Sequence, residues 1–285
     1  MKQDVAVVER AGARCTVGYV GTITNVTDRK RADEERQRLF LAAVEANLIK
    51  DDFLATLAHE LRSPLSSIVL WMGLLRRGNL DVERGARAVD AIERNTRLLS
   101  RLVEDLLDVA RIASGKLSVQ LTSVDLHSIV AAALEAVRPA MNAKHLQLEA
   151  HLERRKMTVQ GDVVRLHQIL NNLLTNAIKF TPDDGRIAVE LAQAGSAARI
   201  TVSDTGRGIA PDFLPRVFER FRQADAASGQ RRDGLGLGLG IVRYLLERHG
   251  GTIAAASPGL GRGATFSVTL PLSSEEAEVT DRSSA

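Results

Sequence analysis

Cysteine is almost missing from this 285-residue chain, where Cys15 stands alone. One thiol cannot close a disulfide within the chain, and a cysteine-based structural zinc site needs several. Long apolar runs are missing as well. No stretch approaches the ~18 apolar residues that a membrane-crossing helix requires, and the first ten residues are broken by charge too soon to form the apolar core of a secretion signal. Nor does one sign of charge dominate. Thirty-eight Lys and Arg against 35 Asp and Glu leave a formal net charge of +3, evenly spread, which argues against nucleic acid as the main partner. No internal repeat is visible. What remains is an ordinary globular balance, 45% hydrophobic and 26% charged, enough for one large or two modest domains. The expectation is a soluble, cytoplasmic chain with no membrane contact of its own.

The pattern along the chain changes three times. Residues 5–27 are short and β-branched, reading as one or two strands too small to bury a core alone. From Asp28 the chain becomes charged and rich in helix formers, with apolar residues at Leu39, Ala43, Ala46, Phe53 and Leu57. That helix is expected to reach Arg77, with Pro64 bending it, and to stop at Gly78-Asn79. A second helix over 82–113 places Val89, Ile92, Thr96, Leu99, Val103, Leu106 and Ala110 at alternating spacings of three and four. Two long helices joined by a tight turn make an αα-hairpin whose broad apolar stripe would be buried by dimerising into a four-helix bundle. Packing of the stripe on the following domain is the alternative. After Ser114-Gly115-Lys116, strands are expected at 117–124 and 146–152, and helices at 126–141 and 162–180. A hairpin at 187–192 and 198–203, a glycine-rich loop, a helix ending at Arg248 and strands at 252–256 and 265–270 follow. The class is α+β, a helical hairpin followed by an α/β sandwich. The polar, acidic tail from Ser273 is expected to be disordered.

Four segments could carry chemistry. In Ala58-His59-Glu60-Leu61-Arg62-Ser63-Pro64 the apolar face is held by Leu57 and Leu61, so His59 should project toward solvent. An imidazole accepts a phosphoryl group only when neutral, and its ordinary pKa of about 6.5 leaves much of it neutral near pH 7. Glu60 could take the proton of the other ring nitrogen. A plain exposed helix histidine beside a solvated glutamate would look the same. Asn172 and Asn176 lie four apart on one helix face, and their amide oxygens suit a hard cation such as Mg²⁺. Lys179 could reach a phosphate, although a pair of buried core amides fits the same pattern. Asp204-Thr205-Gly206-Arg207-Gly208 offers a carboxylate able to accept from an exocyclic amine beside a close-approach backbone, or simply a turn. Finally, Gly234, Gly236, Gly238 and Gly240 alternate with leucines at a helix start, where exposed N–H groups favour phosphate. No Gly-Lys-Ser/Thr follows, so this is not a P-loop, and the context is not that of a dinucleotide fingerprint. Residues 222–233 form a polar loop between the glycine sites and a candidate lid, with Arg231 and Arg232 as possible phosphate contacts or solvated charges.

In this order the four segments resemble the sensor histidine kinases of two-component signalling, over residues 32–272. The resemblance implies a phosphotransfer hairpin (31–114), an ATP-binding sandwich of the gyrase and Hsp90 type (115–272), a disordered tail (273–285), and a remnant of a PAS sensor domain with its linker (1–30). It implies His59 as phospho-acceptor and Glu60 as general base. Asn172, Asn176, Lys179, Asp204, Gly206, Gly208, Gly234, Gly236, Leu237, Gly238 and Thr265 are implied as ATP-binding residues, with Asn176 on Mg²⁺ and Asp204 on adenine. Phe218-Glu219-Arg220-Phe221 resembles the family's F box. Ser63 stands where relatives carry Thr or Asn for a phosphatase step. Leu235 and Gly240 also depart from the usual residues without removing a catalytic group. The expected activity is autophosphorylation of His59 by ATP and Mg²⁺, then transfer to an aspartate on a response-regulator receiver domain, within a homodimer. Ser114-Gly115 would be the hinge between the two parts. A nucleotide-gated scaffold without catalysis and a gyrase- or Hsp90-type ATPase are the rival readings.

Overall fold

The computed structural model describes residues 7–8, 17–18, 27–78, 80–222 and 235–273. It divides into two compact units, Met1–Asp52 and Phe53–Ala285. In the first, β1 (Val7–Val8) pairs antiparallel with β2 (Val17–Gly18), and α1 (Thr27–Arg76) begins. Its early turns carry the exposed ion pairs Lys30–Glu34 and Arg38–Glu35, while Leu39, Phe40 and Leu41 also face solvent. The sensor-domain end expected before residue 30 falls mostly outside the described residues, as do the tail beyond 273 and the loop 223–234.

In the second unit α1 runs on through Pro64 without a break in helix, and the proline is buried. The chain then turns into α2 (Val82–Ala113), whose first turn is capped by Asp81 accepting from the Arg84 N–H at 2.7 Å. Between the helices Asn95 donates to the Ser67 hydroxyl at 3.2 Å, fixing one antiparallel register. α2 ends as its composition predicts: Gly115 takes φ 67° and its N–H returns to the Ile112 carbonyl.

The sandwich follows as β3 (Thr122–Asp125), α3 (Leu126–Ala143), β4 (Gln147–Leu152), β5 (Thr158–Gly161), α4 (Val163–Phe180), β6 (Arg186–Ala194), β7 (Ala197–Asp204), α5 (Gly238–Arg248), β8 (Thr252–Ala256) and β9 (Ala264–Pro271). The main sheet has the order β4-β6-β7-β9-β8. Its β4–β6 pair is parallel, joined by a crossover that contains α4, and the others are antiparallel. Alternate residues Ile187, Val189 and Leu191 of β6, Ala198, Ile200 and Val202 of β7, and Phe266, Val268 and Leu270 of β9 are buried. The residues between them are less buried or exposed, so the helices cover one face of the sheet and the other faces solvent. The strand expected over 117–124 is shorter and later than its β-branched composition suggested. Residues 117–121 are irregular: Leu117 is buried, and the Gln120 N–H goes to the Asp162 carboxylate rather than to a strand. Only β3 forms a ladder, with β5, which was too short to be seen in the pattern.

Helix α4 is held at both ends. Asp162 accepts from the Val164 and Arg165 N–H groups with one oxygen and from Gln120 with the other. Burial raises its pKa, but these backbone bonds and the Arg165 charge outweigh that and lower it overall. At the far end Lys144 donates to the Ile178 and Thr181 carbonyls at 2.9 and 2.7 Å, placing a cation on the negative end of the helix. His249, buried at the end of α5, closes the frame. Its Nδ1 lies 2.7 Å from the Leu245 carbonyl and its Nε2 accepts from the Asp162 N–H at 3.0 Å. These two bonds require a neutral ring with the proton on Nδ1. His249→Phe keeps the apolar bulk but strands the Asp162 N–H, while the Leu245 carbonyl keeps the backbone N–H of residue 249 at 3.2 Å. The expected loss is about 1–3 kcal/mol, read as a lowered urea midpoint followed by far-ultraviolet circular dichroism.

Candidate functional site

His59 lies on α1 between half-buried Leu57 and Leu61 and is exposed, with Glu60 beside it half-buried. Ser63, one turn later, is exposed as well, so it shares the acceptor's face of α1. The leucines turn the apolar face inward and leave the imidazole open to a reactant that arrives from outside the helix pair.

Asp204 ends β7, where two backbone groups converge on its Oδ1: the Gly206 N–H at 2.8 Å and the Ala264 N–H at 3.3 Å. Burial raises its pKa, against the pull of those two bonds. Neither bond uses Oδ2, which is left for a donor such as an exocyclic amine. Gly206 packs on the Phe180 carbonyl at the end of α4, too close for any side chain. Gly208 takes φ 68° and lies against the Gly259 carbonyl, so both chain direction and space demand glycine there. Ser257 secures that contact by accepting from the Ile209 N–H at 2.9 Å and donating to the Gly263 carbonyl at 2.7 Å. Thr265, paired in register with Ser203, has its hydroxyl 3.0 Å from that of Ser203, next to the strand end that bears Asp204.

Helix α4 lies along the glycine ladder. Its Asn172 faces Gly238: a methyl group on Gly238 would sit 3.5 Å from the Asn172 Oδ1. The Asn172 Nδ2 is buried without a hydrogen-bond partner, an orphan that a bound polar group would satisfy. Asn176, one turn on, is half-buried on the same face. Lys179 is exposed, its ammonium 5.0 Å from the Phe180 ring centre. The glycines of the ladder divide by role. Gly236 takes φ 66° and its Cβ position lies 2.6 Å from the Arg222 carbonyl, while Gly240 is wedged under Arg220. Both serve packing as much as ligand approach. Leu235 and Leu237 are buried anchors. Leu237 is also the N-cap of α5, and among the described residues no side chain caps that end, where the first N–H groups of a helix suit phosphate. Gly234, Arg231 and Arg232 lie outside the described residues. The ends of that loop nevertheless meet, since the Phe221 N–H donates to the Gly236 carbonyl at 3.1 Å. Phe218 stands edge-on to Phe266, 6.4 Å between centres.

The structure thus brings Asn172 to Gly238, and Asp204 to Gly206 and Ala264, within the same sandwich. His59, Glu60 and Ser63 stand on the hairpin. Among the described residues no cluster of three or more His, Cys, Asp or Glu could cage a metal. A cation here would take amide oxygens and phosphate oxygens, which is the donor set Mg²⁺ favours. No described helix is long and apolar enough to cross a membrane.

The pattern had not disclosed a second group of polar residues. Asp108, buried on α2, receives the Arg165 Nη1 at 2.8 Å and the Gln168 Nε2 at 2.7 Å, both from α4. Beside this clasp is a cavity of about 890 Å³, walled in part by Arg101, Asp105, Arg165, Gln168 and Asn172. The only advance sign was a carboxylate interrupting the apolar stripe at Leu107-Asp108-Val109.

Comparison with known proteins places these features. Residues 49–115 match the family described as "His Kinase A (phospho-acceptor) domain", and residues 161–274 the "Histidine kinase-, DNA gyrase B-, and HSP90-like ATPase". The circadian input-output histidine kinase CikA of Synechococcus elongatus is 35% identical over 253 residues, 86% of this chain and 33% of that protein. The sensor protein GacS of Pseudomonas syringae is 35% identical over 242 residues, 83% of this chain and 27% of that protein. The crystal structure of full-length ShkA in complex with AMPPNP is 34% identical, with a TM-score of 0.57 over 77% of this chain and 45% of that one. The chain belongs to the sensor histidine kinases. It spans about a third of the length of the curated relatives it matches.

Asp105, on the cavity wall one turn before Asp108, carries a pKa raised to about 6. Burial is the main cause, with Asp108 and Glu104 adding to it and Arg101 opposing. Arg111, Arg165, His167 and Asp162 also line the space. Because the folded value lies above the unfolded one near 3.8, the neutral form favours the folded state. That stabilisation is complete below about pH 4 and is lost as the pH rises through about 6. Asp105→Asn should therefore flatten the dependence of the melting temperature on pH between about 4 and 6, measured by calorimetry against the parent.

Proposed function

We propose that the chain is an ATP-dependent protein-histidine kinase that phosphorylates its own His59 and passes the group to an aspartate of a response-regulator receiver domain. One observation carries this reading: an exposed imidazole on the hairpin accompanies a crevice in which an orphaned Asn172 amide faces Gly238, with the Asp204 carboxylate in the same sandwich. The proposed division is phosphotransfer over 31–114 and nucleotide binding over 115–272.

Asp204 would accept from the adenine amine through its unengaged oxygen, beside Gly206 and Gly208. Thr265, next to that strand end, would border the base. The triphosphate would lie between Asn172, Asn176 and the uncapped start of α5 at Leu237 and Gly238, with Gly234, Gly236 and Lys179 nearby. Mg²⁺, held by the Asn176 amide oxygen and phosphate oxygens, would screen the charge on the phosphates. An imidazole nitrogen of His59 forms a bond to the γ-phosphorus as the bond to the bridging oxygen breaks and ADP departs. Glu60 accepts the proton from the other ring nitrogen. Ser63 on the same face would orient water for the opposing phosphatase step, in which a phosphoryl group passes to water and leaves as inorganic phosphate. ShkA, crystallised with AMPPNP, supports nucleotide use. The histidine kinase ThkA, solved in complex with the response regulator TrrA, supports the acceptor's identity through fold alone at 22% identity.

A second copy of the chain completes the proposal. Leu54, Leu65, Val69 and Leu70 on α1 and Val89, Val103 and Leu107 on α2 are exposed in one chain. Two hairpins packed together would cover them. The C-terminal part of α2 is already spoken for, because Val109 and Ile112 join the sandwich core.

His59→Gln should abolish acid-labile, alkali-stable phosphoprotein formed from radiolabelled ATP while leaving nucleotide affinity unchanged. Retained labelling would refute His59 as acceptor, and lost binding would refute separate acceptor and nucleotide sites. Asp204→Ala should weaken binding of ATP at least as much as it slows labelling, by about 1.5–3 kcal/mol or more than tenfold, in calorimetric titration. Equal affinity for ATP and an analogue lacking the exocyclic amine in the parent would contradict the role given to Asp204.

A further inference from the structure

Strand β5 stands outside the main sheet. On one side it pairs with β3, from Thr158 against Asp125 to Gly161 against Thr122. On its other side the chain returns after β9, and Leu272 forms an antiparallel bridge with Val159. The next residue carries that pairing on: the Ser273 N–H donates to the Thr158 carbonyl at 2.8 Å. Its hydroxyl also receives the Gln160 Nε2 at 3.5 Å. The chain therefore leaves the sandwich along β5, heading back toward residue 154.

What it heads toward is basic. Arg154, Arg155 and Lys156 lie in the turn between β4 and β5, and all three are exposed. The acid that opens the turn, Glu153, is directed elsewhere, its carboxylate accepting from the Gln193 N–H at 2.8 Å. The base of the turn is fixed. Met157 is fully buried, and its carbonyl accepts from the Leu126 N–H at 2.9 Å. Beyond Ser273 the sequence reads Ser274-Glu275-Glu276-Ala277-Glu278, which is rich in carboxylates.

Register joins the acidic segment to the basic turn. Residue numbers facing each other across an antiparallel ladder keep a constant sum. Continued from Leu272 and Val159, the ladder sets Ser274 opposite Met157, Glu275 opposite Lys156 and Glu276 opposite Arg155. Glu275 is two residues past Ser273, about 7 Å at 3.3 Å per residue. Opposite charges that face each other across strands stabilise the pairing. The short tether also keeps these carboxylates at high local concentration beside the turn.

We propose that residues 274–278 add to β5 as a further strand, with Glu275 on Lys156 and Glu276 on Arg155. The strand edge and its basic turn are then a docking site for an extended acidic segment, filled by the chain's own tail. For these five residues this replaces the disorder suggested by composition alone. Since β5 ends at Gly161, next to the Asp162 cap of α4, the added strand braces the approach to that helix. None of this depends on the kinase reading.

The test uses the full chain. In a Cys15→Ser background, Lys156→Cys with Glu275→Cys puts thiols at opposed positions, within disulfide reach if the strands pair. Lys156→Cys with Val279→Cys is the control out of register. Under mild oxidation the first pair should close within one chain about tenfold faster than the second, or more. In the chain with its native charges, hydrogen exchange read by mass spectrometry should show 274–278 protected about tenfold or more over a free peptide of that sequence. Arg155→Glu with Lys156→Glu should remove the protection, and adding Glu275→Lys and Glu276→Lys should restore it. Equal closure of the two cysteine pairs, or an unprotected segment in the parent, would overturn the added strand. A disulfide that forms between chains would give the site to a second copy and overturn its filling by the chain's own tail. Protection that survives the charge reversal, or is not restored by the swap, would overturn the two ion pairs. Should a cysteine variant fail to fold by circular dichroism, exchange in the parent and the charge series decide.

Discussion

Helix α4 must satisfy the polar groups at both of its ends while its flanks serve two different neighbours, and the proposed nucleotide site depends on how that constraint is met. Asp162 takes the free N–H groups at the start, and His249 holds Asp162 in place from the end of α5. Lys144 takes the free carbonyls at the other end. One flank then buries Leu166, Ile169, Leu170, Leu173 and Leu174 in the core. Arg165 and Gln168 meet the hairpin, and Asn172 turns toward Gly238. Had α4 been secured only by apolar packing, it could slide by a fraction of a turn at little cost. The end caps and the asparagine's near contact with the glycine backbone remove that freedom, which a positioned triphosphate requires.

The glycine positions follow from the same close packing. Gly206 meets the carbonyl end of α4, Gly208 the β8–β9 turn, and Gly236 the Arg222 carbonyl. Read from the sequence, alternating glycines suggested backbone opened toward phosphate. In three dimensions Gly238 faces the Asn172 side chain, Gly206 lies against the Phe180 carbonyl and the Asp204 carboxylate, and Gly208 and Gly236 let main chain pass main chain where a Cβ has no room. In the proposed site the phosphate would meet the start of α5, and the close packing of Gly236 and Gly240 sets where that start lies.

The sequence was most legible where periodicity ran longest. Over α2 the three-four spacing located the helix, and Gly78-Asn79 before it and Ser114-Gly115 after it marked its limits; the Asp81 cap that starts it is seen only in the structure. Exposure of His59 followed from the leucines on either side of it. Short elements were harder. Strand β5 has four residues and no turn signal that separates it from a loop, and its partner β3 was merged with the irregular linker before it. Non-local polar bonds were not legible at all. Nothing in the spacing links Asp108 to Arg165, 57 residues apart, or Asp162 to His249, 87 apart. Such bonds exist only once the fold has brought the elements together, and a lone carboxylate in an apolar stripe signals that a partner exists without saying which.

A kinase whose acceptor and nucleotide sit on different bodies faces a conflict between order and movement. The crevice needs rigidity, which α4 supplies through its caps and core contacts. Transfer needs relative motion, which a fully apolar interface between hairpin and sandwich would resist across its whole area. The interface here is mixed: Val109 and Ile112 contribute buried surface, an unfilled cavity limits it, and a buried ion pair concentrates its specificity in a few atoms. Apolar contact of this kind weakens gradually as surfaces slide, whereas a desolvated carboxylate and guanidinium are either paired or exposed to water. That pair lies at the start of α4, about 10 Å along the helix from Asn172 at 1.5 Å per residue, so the polar contact with the hairpin is set apart from the face that Asn172 turns toward Gly238.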